Sequence, residues 1–188
     1  HFAGRAFGWR TGPLFRAGLV GGLAVGLSGC NFIKMHQDHM EGQLRGNGIH
    51  ARTIELSNGS MRYFSGGHGF PIMFVHGFGG DAAQTWKSQL HHFSKSYRVY
   101  APDIYWFGDS LPKSPELTGN PFEQADAIAE LLDRHGIARA HVVGVSFGGY
   151  ISLAFALRHP QKVARLVVVD AAGLSPSAEE QERIKKAF

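Results

Sequence analysis

The sequence of 188 residues predicts an α/β protein, a three-layer sandwich around a mostly parallel β-sheet that starts with an antiparallel hairpin. From residue 71 to residue 169, apolar runs of strand length alternate with runs of helix length, which predicts parallel strands joined by right-handed crossovers. Before them, Asn58-Gly59 separates two alternating segments, 51–56 and 61–65, and Asn-Gly in that position predicts a hairpin. Over residues 140–159, a strand, a glycine-rich corner and a helix follow one another directly.

The single elements follow from local patterns. Residues 71–75 form a continuous apolar run, which suits a central strand covered on both faces. Asn120, Pro121 and Glu123 occupy the positions expected for the N-cap, N1 and N3 of a helix, and Gly136 fits its C-terminal end. The other expected elements are strands at 97–101, 141–145 and 165–169, and helices at 86–93, 151–159 and 177–188.

The net charge of +4 comes mostly from the beginning of the chain. Three arginines and no acidic residue precede Cys30, whereas the residues from Asn31 onward carry 16 basic and 15 acidic side chains. Such a near-equal charge balance does not predict a basic surface for binding nucleic acid. The single cysteine excludes an internal disulfide.

Residues 1–30 are predicted to be a leader rather than part of the fold. A basic start is followed by a short apolar run, 17–29, that is shorter than the roughly 20 residues of a spanning helix. Leu27-Ser28-Gly29-Cys30 resembles the lipobox of bacterial lipoproteins, which implies lipidation of Cys30 and a lipid anchor in the cell envelope. Residues 31–50 are then expected to be a flexible tether. The alternative is a cytoplasmic protein whose translation starts at Met35 or Met40.

The corner at residues 144–148 is the strongest chemical signal. Gly144, Ser146 and Gly148 form G-x-S-x-G between an apolar strand and a helix, the pattern of a nucleophile elbow. The glycines let a sharp turn close around a serine in a strained conformation. Ser146 is therefore the candidate nucleophile, and a structural serine in a tight turn is the alternative.

Three further segments make the sequence similar to the α/β-hydrolase superfamily. His76-Gly77-Phe78-Gly79-Gly80 looks like its oxyanion loop. The segment 103–110 looks like its D-x-x-G-x-G-x-S loop, with Trp106 where glycine is usual. The segment 165–173 looks like the strand after the elbow helix. The resemblance covers residues 51–188 and implies a hydrolase core at 51–176, as the N-terminal part of an incomplete fold, and the start of a cap at 177–188.

The resemblance also implies an oxyanion hole made by two backbone N–H groups. One belongs to Phe147, directly after the serine, and the other to Phe78. His76 and Gly77 are expected to support this loop, with His76 orienting it rather than acting as a base. A simple turn at His76-Gly77 is the alternative.

The acid and the base of a triad are not evident in the sequence. His159 is placed roughly 20 Å from Ser146 by the intervening helix, and His141 starts the elbow strand at its opposite end. Asp170 ends the last expected strand and is a possible acid, or a residue that caps a loop. The family order of serine, acid and histidine then places the missing partners beyond Phe188.

No metal site, cofactor or phosphate-binding loop is predicted. Neither His36-Gln37-Asp38-His39 nor His91-His92 makes a convincing metal site, and Asp81 and Asp109 are interpreted as turn formers. Phe78, Trp106, Phe107 and Phe147 either line an apolar pocket or belong to the core.

The predicted function is hydrolysis of an apolar, small-molecule carboxylic ester through an acyl-enzyme on Ser146, as in esterases and lipases. Two alternatives stay open. One is a carbon–carbon bond hydrolase of the same fold, and the other is a non-catalytic or truncated scaffold. As it stands, the chain is expected to be inactive and weakly stable, because its last strand would be a bare apolar edge.

Overall fold

A computed structural model describes residues 34–171 of the chain, so the predicted leader at 1–30 and helix at 177–188 fall outside it. The chain divides into two units, residues 1–39 and 40–188. In the first unit, residues 34–39 are helical, and Lys34 pairs with Asp38 one turn away at 3.5 Å.

Residues 34–46 are helical (α1), so the flexible tether predicted for 31–50 is wrong over this stretch. Met40 and Leu44 are both buried, at 5% and 1% exposure. Their spacing of four residues places both side chains on one helix face, and burial of that face stabilises the helix. Leu44 joins the core cluster that contains Trp86. The prediction failed because the two glycines of α1 indicate a flexible segment, whereas packing of the buried helix face keeps the segment helical.

In the described part of the second unit, residues 40–171, a seven-stranded sheet carries helices on both faces. Its strands are β1 (Ile49–Leu56), β2 (Gly59–Gly66), β3 (Pro71–Val75), β4 (Arg98–Pro102), β5 (Leu111–Pro112), β6 (Ala140–Val145) and β7 (Val163–Val169). Its other helices are α2 (Ala82–Phe93), α3 (Pro121–Arg134) and α4 (Phe147–Arg158), and a short 3₁₀ turn covers Pro160–Lys162.

The strand order is β1-β2-β4-β3-β6-β7, with the short β5 paired to β2. β1 and β2 form the expected antiparallel hairpin across Asn58-Gly59, and β2 also pairs antiparallel with β4. β4, β3, β6 and β7 run parallel. The predicted fold class, a mostly parallel sheet with an antiparallel N-terminal hairpin, is confirmed.

Two apolar layers cover the sheet. One face packs against α3 and α4 and buries, among others, Ile128 and Phe155. The other face packs against α2 and buries Trp86 and Leu90.

At the expected start of α3, the Asn120 side chain accepts hydrogen bonds of 3.0 Å from the backbone N–H of Phe122 and Glu123. Residues patterned for a helix cap therefore act as one.

The order of the central strands positions the functional loops. After β3 the chain continues to β4 on one side of it, whereas β6 lies on its other side, with Val75 opposite Gly144. In parallel sheets, a crevice opens where neighbouring connections diverge in this way, at the carboxyl ends of the strands. The loop after β3 and the corner after β6 therefore meet at the same edge.

Candidate active site

Ser146 lies at the corner between β6 and α4 with φ 54° and ψ −121°. Positive φ is uncommon for a residue with a side chain, and it persists only where the surroundings enforce it. The backbone N–H of Ser146 donates to the carbonyl of Val169 at 2.9 Å, and its own carbonyl accepts from Gly149 and Tyr150. The side chain is partly exposed. The corner thus presents a hydroxyl at the carboxyl edge of the sheet.

The two glycines of the motif are required by space. A Cβ at Gly144 would come within 2.2 Å of the Gly148 carbonyl oxygen, and a Cβ at Gly148 would come within 2.3 Å of those of Val75 and His76. Such distances are far inside van der Waals contact. The corner therefore closes only because both positions lack a side chain.

The loop after β3 touches the serine. A Cβ built on Gly77 would lie 3.1 Å from the Cβ of Ser146 and 3.7 Å from its Oγ. The next residue, Phe78, is 79% exposed. On the other side, Phe147 is the first residue of α4, where backbone N–H groups have no partner within the helix and the helix dipole favours negative charge. The structure therefore brings together the segments that hold the two predicted oxyanion donors.

His76 is fully buried, and both of its ring nitrogens are occupied. Nε2 lies 3.1 Å from the backbone nitrogen of Ile104, which can only donate, so Nδ1 carries the proton and donates to the Gly77 carbonyl at 2.8 Å. Burial lowers the pKa of His76, which keeps the ring neutral. A ring committed in this way ties the loop after β3 to the loop after β4 and has no nitrogen free to serve as a base.

The loop after β4 begins with a buried carboxyl group. Asp103 accepts a 2.8 Å hydrogen bond from the N-terminal N–H of α2 at Ala82, and Arg62 donates to it at 3.3 Å. Burial raises the pKa of Asp103 to about 6, although both partners favour the charged form. The Ser110 hydroxyl donates to the Asp103 carbonyl at 2.7 Å and accepts from the N–H of Arg62 at 2.9 Å. These bonds fix both ends of the loop.

Arg62 is the centre of this network, and no sequence motif marks it as such. Besides Asp103, it pairs with Glu41 of α1 at 2.5 Å and with Asp109 at 3.4 Å. Asp109 was interpreted only as a turn former. Asp81 caps α2 by accepting from Gln84 at 2.7 Å, which agrees with a turn-forming role. The partners of Arg62 lie 21, 41 and 47 positions away in the chain, so no local pattern reveals them.

Aromatic side chains extend from the buried histidine to the surface. The ring of Phe107 stands edge-on to His76 at 5.6 Å and to Phe78 at 5.2 Å. Trp106 is 51% exposed and has φ 75°, so the glycine-like conformation of the family loop is kept although the side chain is present. Phe147 is partly buried against the core. Phe78 and Trp106 are thus exposed apolar groups, whereas Phe107 and Phe147 are shared with the interior.

The remaining sequence candidates lie as follows. His159 ends α4 and pairs with Asp126 at 2.8 Å, away from Ser146 at the other end of that helix. The ring of His141 packs against Phe70 at 4.7 Å. Asp170 is exposed, has φ 44° and follows Val169, the residue whose carbonyl holds the Ser146 N–H, so it reaches the same edge of the sheet as the serine.

Within residues 34–171, no cluster of three or more His, Cys, Asp or Glu side chains is arranged to hold a metal ion. None of the helices that the structure describes has the length and apolar character needed to cross a bilayer.

Comparison with known proteins identifies relatives of this chain. The profile of a family described as alpha/beta hydrolase fold matches residues 71–187. The chain is 41% identical over 111 residues to the 2-hydroxymuconate semialdehyde hydrolase of Pseudomonas sp. strain CF600, covering 58% of this chain and 39% of that protein. It is 33% identical over 130 residues to lipase 1 of Psychrobacter immobilis, covering 66% of this chain and 40% of the lipase.

Among solved structures, a bacterial membrane phospholipase A superimposes with a TM-score of 0.69 at 28% identity. That match covers 93% of this chain and 57% of the phospholipase. The chain therefore spans about two fifths of the two curated relatives and somewhat more than half of the phospholipase.

Proposed function

The chain belongs to the alpha/beta hydrolase fold family, and from that premise we propose that it carries the nucleophile half of a serine hydrolase that cleaves carboxylic esters. The observation that carries the proposal is the conformation of Ser146, whose φ of 54° at the end of a close-packed strand–helix corner holds its hydroxyl at the sheet edge. The corner around this serine requires glycine at 144 and 148, because a Cβ at either position would lie 2.2–2.3 Å from a carbonyl oxygen.

In the proposed reaction, Ser146 Oγ attacks the ester carbonyl carbon while a base takes the hydroxyl proton. The carbonyl oxygen becomes an oxyanion that accepts hydrogen bonds from the N–H groups of Phe78 and Phe147. The C–O bond then breaks, the alcohol leaves with the proton, and the acyl group stays on the serine. Water, activated by the same base, releases the acid and restores the hydroxyl.

The proposal assigns the base and its acid mainly to residues outside the described part of the chain. Within residues 34–171, His76 is occupied at both nitrogens and His159 is paired with Asp126. Asp170 stays a candidate acid because it reaches the edge where Ser146 lies. We therefore expect the 188 residues by themselves to be inactive.

An apolar acyl group is the proposed substrate feature. Phe78 directly follows the loop residue that touches Ser146 and exposes 79% of its surface, and Trp106 exposes 51%. Exposed aromatic rings beside a reactive group favour apolar ligands. Similarity to a lipase and to a membrane phospholipase supports the same class.

The test is covalent labelling with an alkyl fluorophosphonate, which reacts with activated serines. It is applied to the protein extended to the length of its relatives and to three forms: the parent, Ser146→Ala, and Ser88→Ala as a control for an exposed serine. Labelling is expected in the parent and in Ser88→Ala and is expected to be lost in Ser146→Ala. Label retained in Ser146→Ala would refute the assignment.

Carbon–carbon bond hydrolysis is a second candidate, because 41% identity joins the chain to a 2-hydroxymuconate semialdehyde hydrolase. The serine and the oxyanion donors would serve that chemistry equally. Competing assays with 2-hydroxymuconate semialdehyde and with p-nitrophenyl esters of increasing chain length distinguish the two. Turnover of the semialdehyde without ester cleavage would favour the second candidate.

A non-catalytic scaffold is the remaining alternative. The DNA downstream of codon 188 tests it directly. An open frame that encodes an acidic residue and a late histidine supports the enzyme, and an immediate stop supports the scaffold.

We also propose, from the lipobox-like residues 27–30, that Cys30 carries a lipid that anchors the protein in a bacterial envelope. Each buried methylene of an acyl chain contributes roughly 0.8 kcal/mol of membrane affinity. Metabolic labelling with an alkyne fatty acid should mark the parent and not Cys30→Ala. Equal labelling of both, or a product that starts at Met35 or Met40, would contradict the anchor.

A further inference from the structure

A basic depression of about 250 Å³ lies far from Ser146, beside the amino-terminal end of β4. Its side chains come from three neighbouring strands: His50 and Arg52 from β1, Ser65 from β2, and Arg98 and Tyr100 from β4. Three glycines complete the lining with backbone atoms. Ser146 follows the carboxyl end of β6, so this basic depression is separate from the candidate active site.

The strand register explains why these side chains converge. Ser65 lies opposite His50 on one side and opposite Tyr100 on the other, so the three side chains form one row on the same face. Arg52 follows His50 by two residues, and Arg98 precedes Tyr100 by two residues, which keeps both on that face. The two arginines therefore flank the row from diagonally opposite corners.

The positive charge of the basic depression is not compensated by the part of the chain that the structure describes. No carboxylate lines it, and neither Arg52 nor Arg98 forms an ion pair with any of residues 34–171. The pKa of His135 responds to both arginines. Burial lowers this pKa most, the positive charges of Arg52 and Arg98 lower it further, and no acidic group raises it.

Two hydroxyl groups complete the donor set. Tyr100 and Ser65 line the basic depression, and neither hydroxyl has a hydrogen-bond partner among residues 34–171. Both hydroxyls reach solvent rather than being enclosed in the core, so each can donate to an acceptor that binds in the basic depression. The ring of Tyr100 is held in place by stacking beside Tyr63, with ring centroids 6.3 Å apart.

We propose that the basic depression binds a phosphate group, either free or in the headgroup of an anionic lipid. Each guanidinium fork of Arg52 and Arg98 can donate two parallel hydrogen bonds to an oxyanion, and the Ser65 and Tyr100 hydroxyls add one each. Phosphate offers acceptor oxygens in a tetrahedral arrangement that donors from several directions can share. A carboxylate, with two coplanar oxygens, would leave part of this set unused.

The first measurement is titration of the protein with inorganic phosphate, followed by NMR of the His135 ring. Phosphate bound between Arg52 and Arg98 should neutralise their field and raise the pKa of His135. The variant Arg52→Gln/Arg98→Gln should bind phosphate about tenfold more weakly or worse. Lys95→Gln/Arg165→Gln removes the same charge from exposed positions outside the basic depression and should bind like the parent.

The second measurement separates the sources of phosphate. Cosedimentation with phosphatidylglycerol vesicles is compared with cosedimentation with phosphatidylcholine vesicles, at low and high salt, for the same proteins. Tighter binding to phosphatidylglycerol that the Arg52/Arg98 variant loses identifies a lipid headgroup, and binding of inorganic phosphate alone identifies a soluble ligand. The proposal is overturned if neither probe binds, or if both double variants lose binding equally. Fluorophosphonate labelling of Ser146 should be unchanged in every variant, so the outcome is independent of the proposed hydrolysis.

Discussion

Ser146 and Trp106 both have a positive φ without being glycine, yet the two corners are held by different forces. Around Ser146, backbone packs against backbone, and glycines at 144 and 148 leave no room for a methyl group. Around Trp106, the loop is fixed by the buried pair of Arg62 and Asp103. Close packing of the backbone therefore holds the strained conformation at the first corner, and an ion pair holds it at the second. The first should therefore respond to changes in volume and the second to changes in charge and pH.

The largest expected effect is that of Gly148→Ala at the serine corner. The added Cβ would lie 2.3 Å from two carbonyl oxygens, so β3 and α4 must separate. We expect a loss of more than about 4 kcal/mol in the free energy of unfolding, or no folded protein. Gly42→Ala in α1, where nothing lies within 4 Å, is the control and should stabilise by roughly 0.5–1 kcal/mol. Equal stability of the two variants in urea denaturation would show that the corner is not close-packed.

At the other corner, Arg62→Met should cost about 3–5 kcal/mol, because it removes the cation that Asp103, Glu41 and Asp109 share. Arg134→Met removes an exposed pair with Glu130 and serves as the matched control, with an expected cost below about 0.5 kcal/mol. Chemical denaturation of both variants measures the difference. A cost for Arg62→Met as small as that of the control would mean that charge does not hold this loop.

The pH dependence sharpens the comparison through Asp103. Burial raises its pKa from 3.8 to about 6, so between these values the folded chain keeps a proton that the unfolded chain has released. The stability from this group is full below about pH 4 and is lost as the pH rises through 6, by roughly 2–3 kcal/mol. His76 acts in the opposite sense, because burial lowers its pKa and the unfolded chain is then protonated first on acidification.

The difference between the parent and Asp103→Asn removes the contribution of His76, which both proteins share. Urea denaturation at about pH 4.5 and about pH 7 should show the asparagine variant gaining on the parent as the pH rises. A difference that does not change with pH would place the pKa of Asp103 near its ordinary value.

The smallest effect compares alanine with glycine at the two strained positions. At an ordinary position, an alanine variant has a higher free energy of unfolding than a glycine variant. At positive φ we expect the opposite order, with the glycine variant higher by about 1 kcal/mol. We expect Trp106→Gly to be more stable than Trp106→Ala, and Ser146→Gly more stable than Ser146→Ala. Thermal denaturation of the four variants is the measurement. Alanine as the better residue at either position would indicate a relaxed backbone there.

Local patterns predicted most of the fold. Asn58-Gly59 marked the hairpin, and Asn120 marked the start of α3, because turns and caps are made by neighbouring residues. The helix at 34–46 was missed because its glycines favour flexibility locally. The helix is stabilised instead by burial of Met40 and Leu44 against the core, which composition does not show. The two-residue strand β5 was missed because it exists only by pairing with β2.

The candidate site divides in the same way. The corner at Ser146 and the loop at His76 could be predicted, because each is a short motif that follows a strand. The two hydrogen bonds of the His76 ring and the ion pairs of Arg62 could not be predicted, because their partners lie on other elements. The row of His50, Ser65 and Tyr100 likewise depends on register between three strands, which no single segment contains.

The sequence by itself determined the class of fold, the strand–serine–helix corner and the absence of room beside it, since these depend on residues within a few positions of one another. The tertiary structure alone decided which buried charges face each other, which histidine nitrogens are occupied and, within residues 34–171, which arginines form no ion pair. The physical reason is that burial and electrostatic pairing act through space: the desolvation that shifts Asp103 and the fields that reach His135 come from residues far apart in the chain.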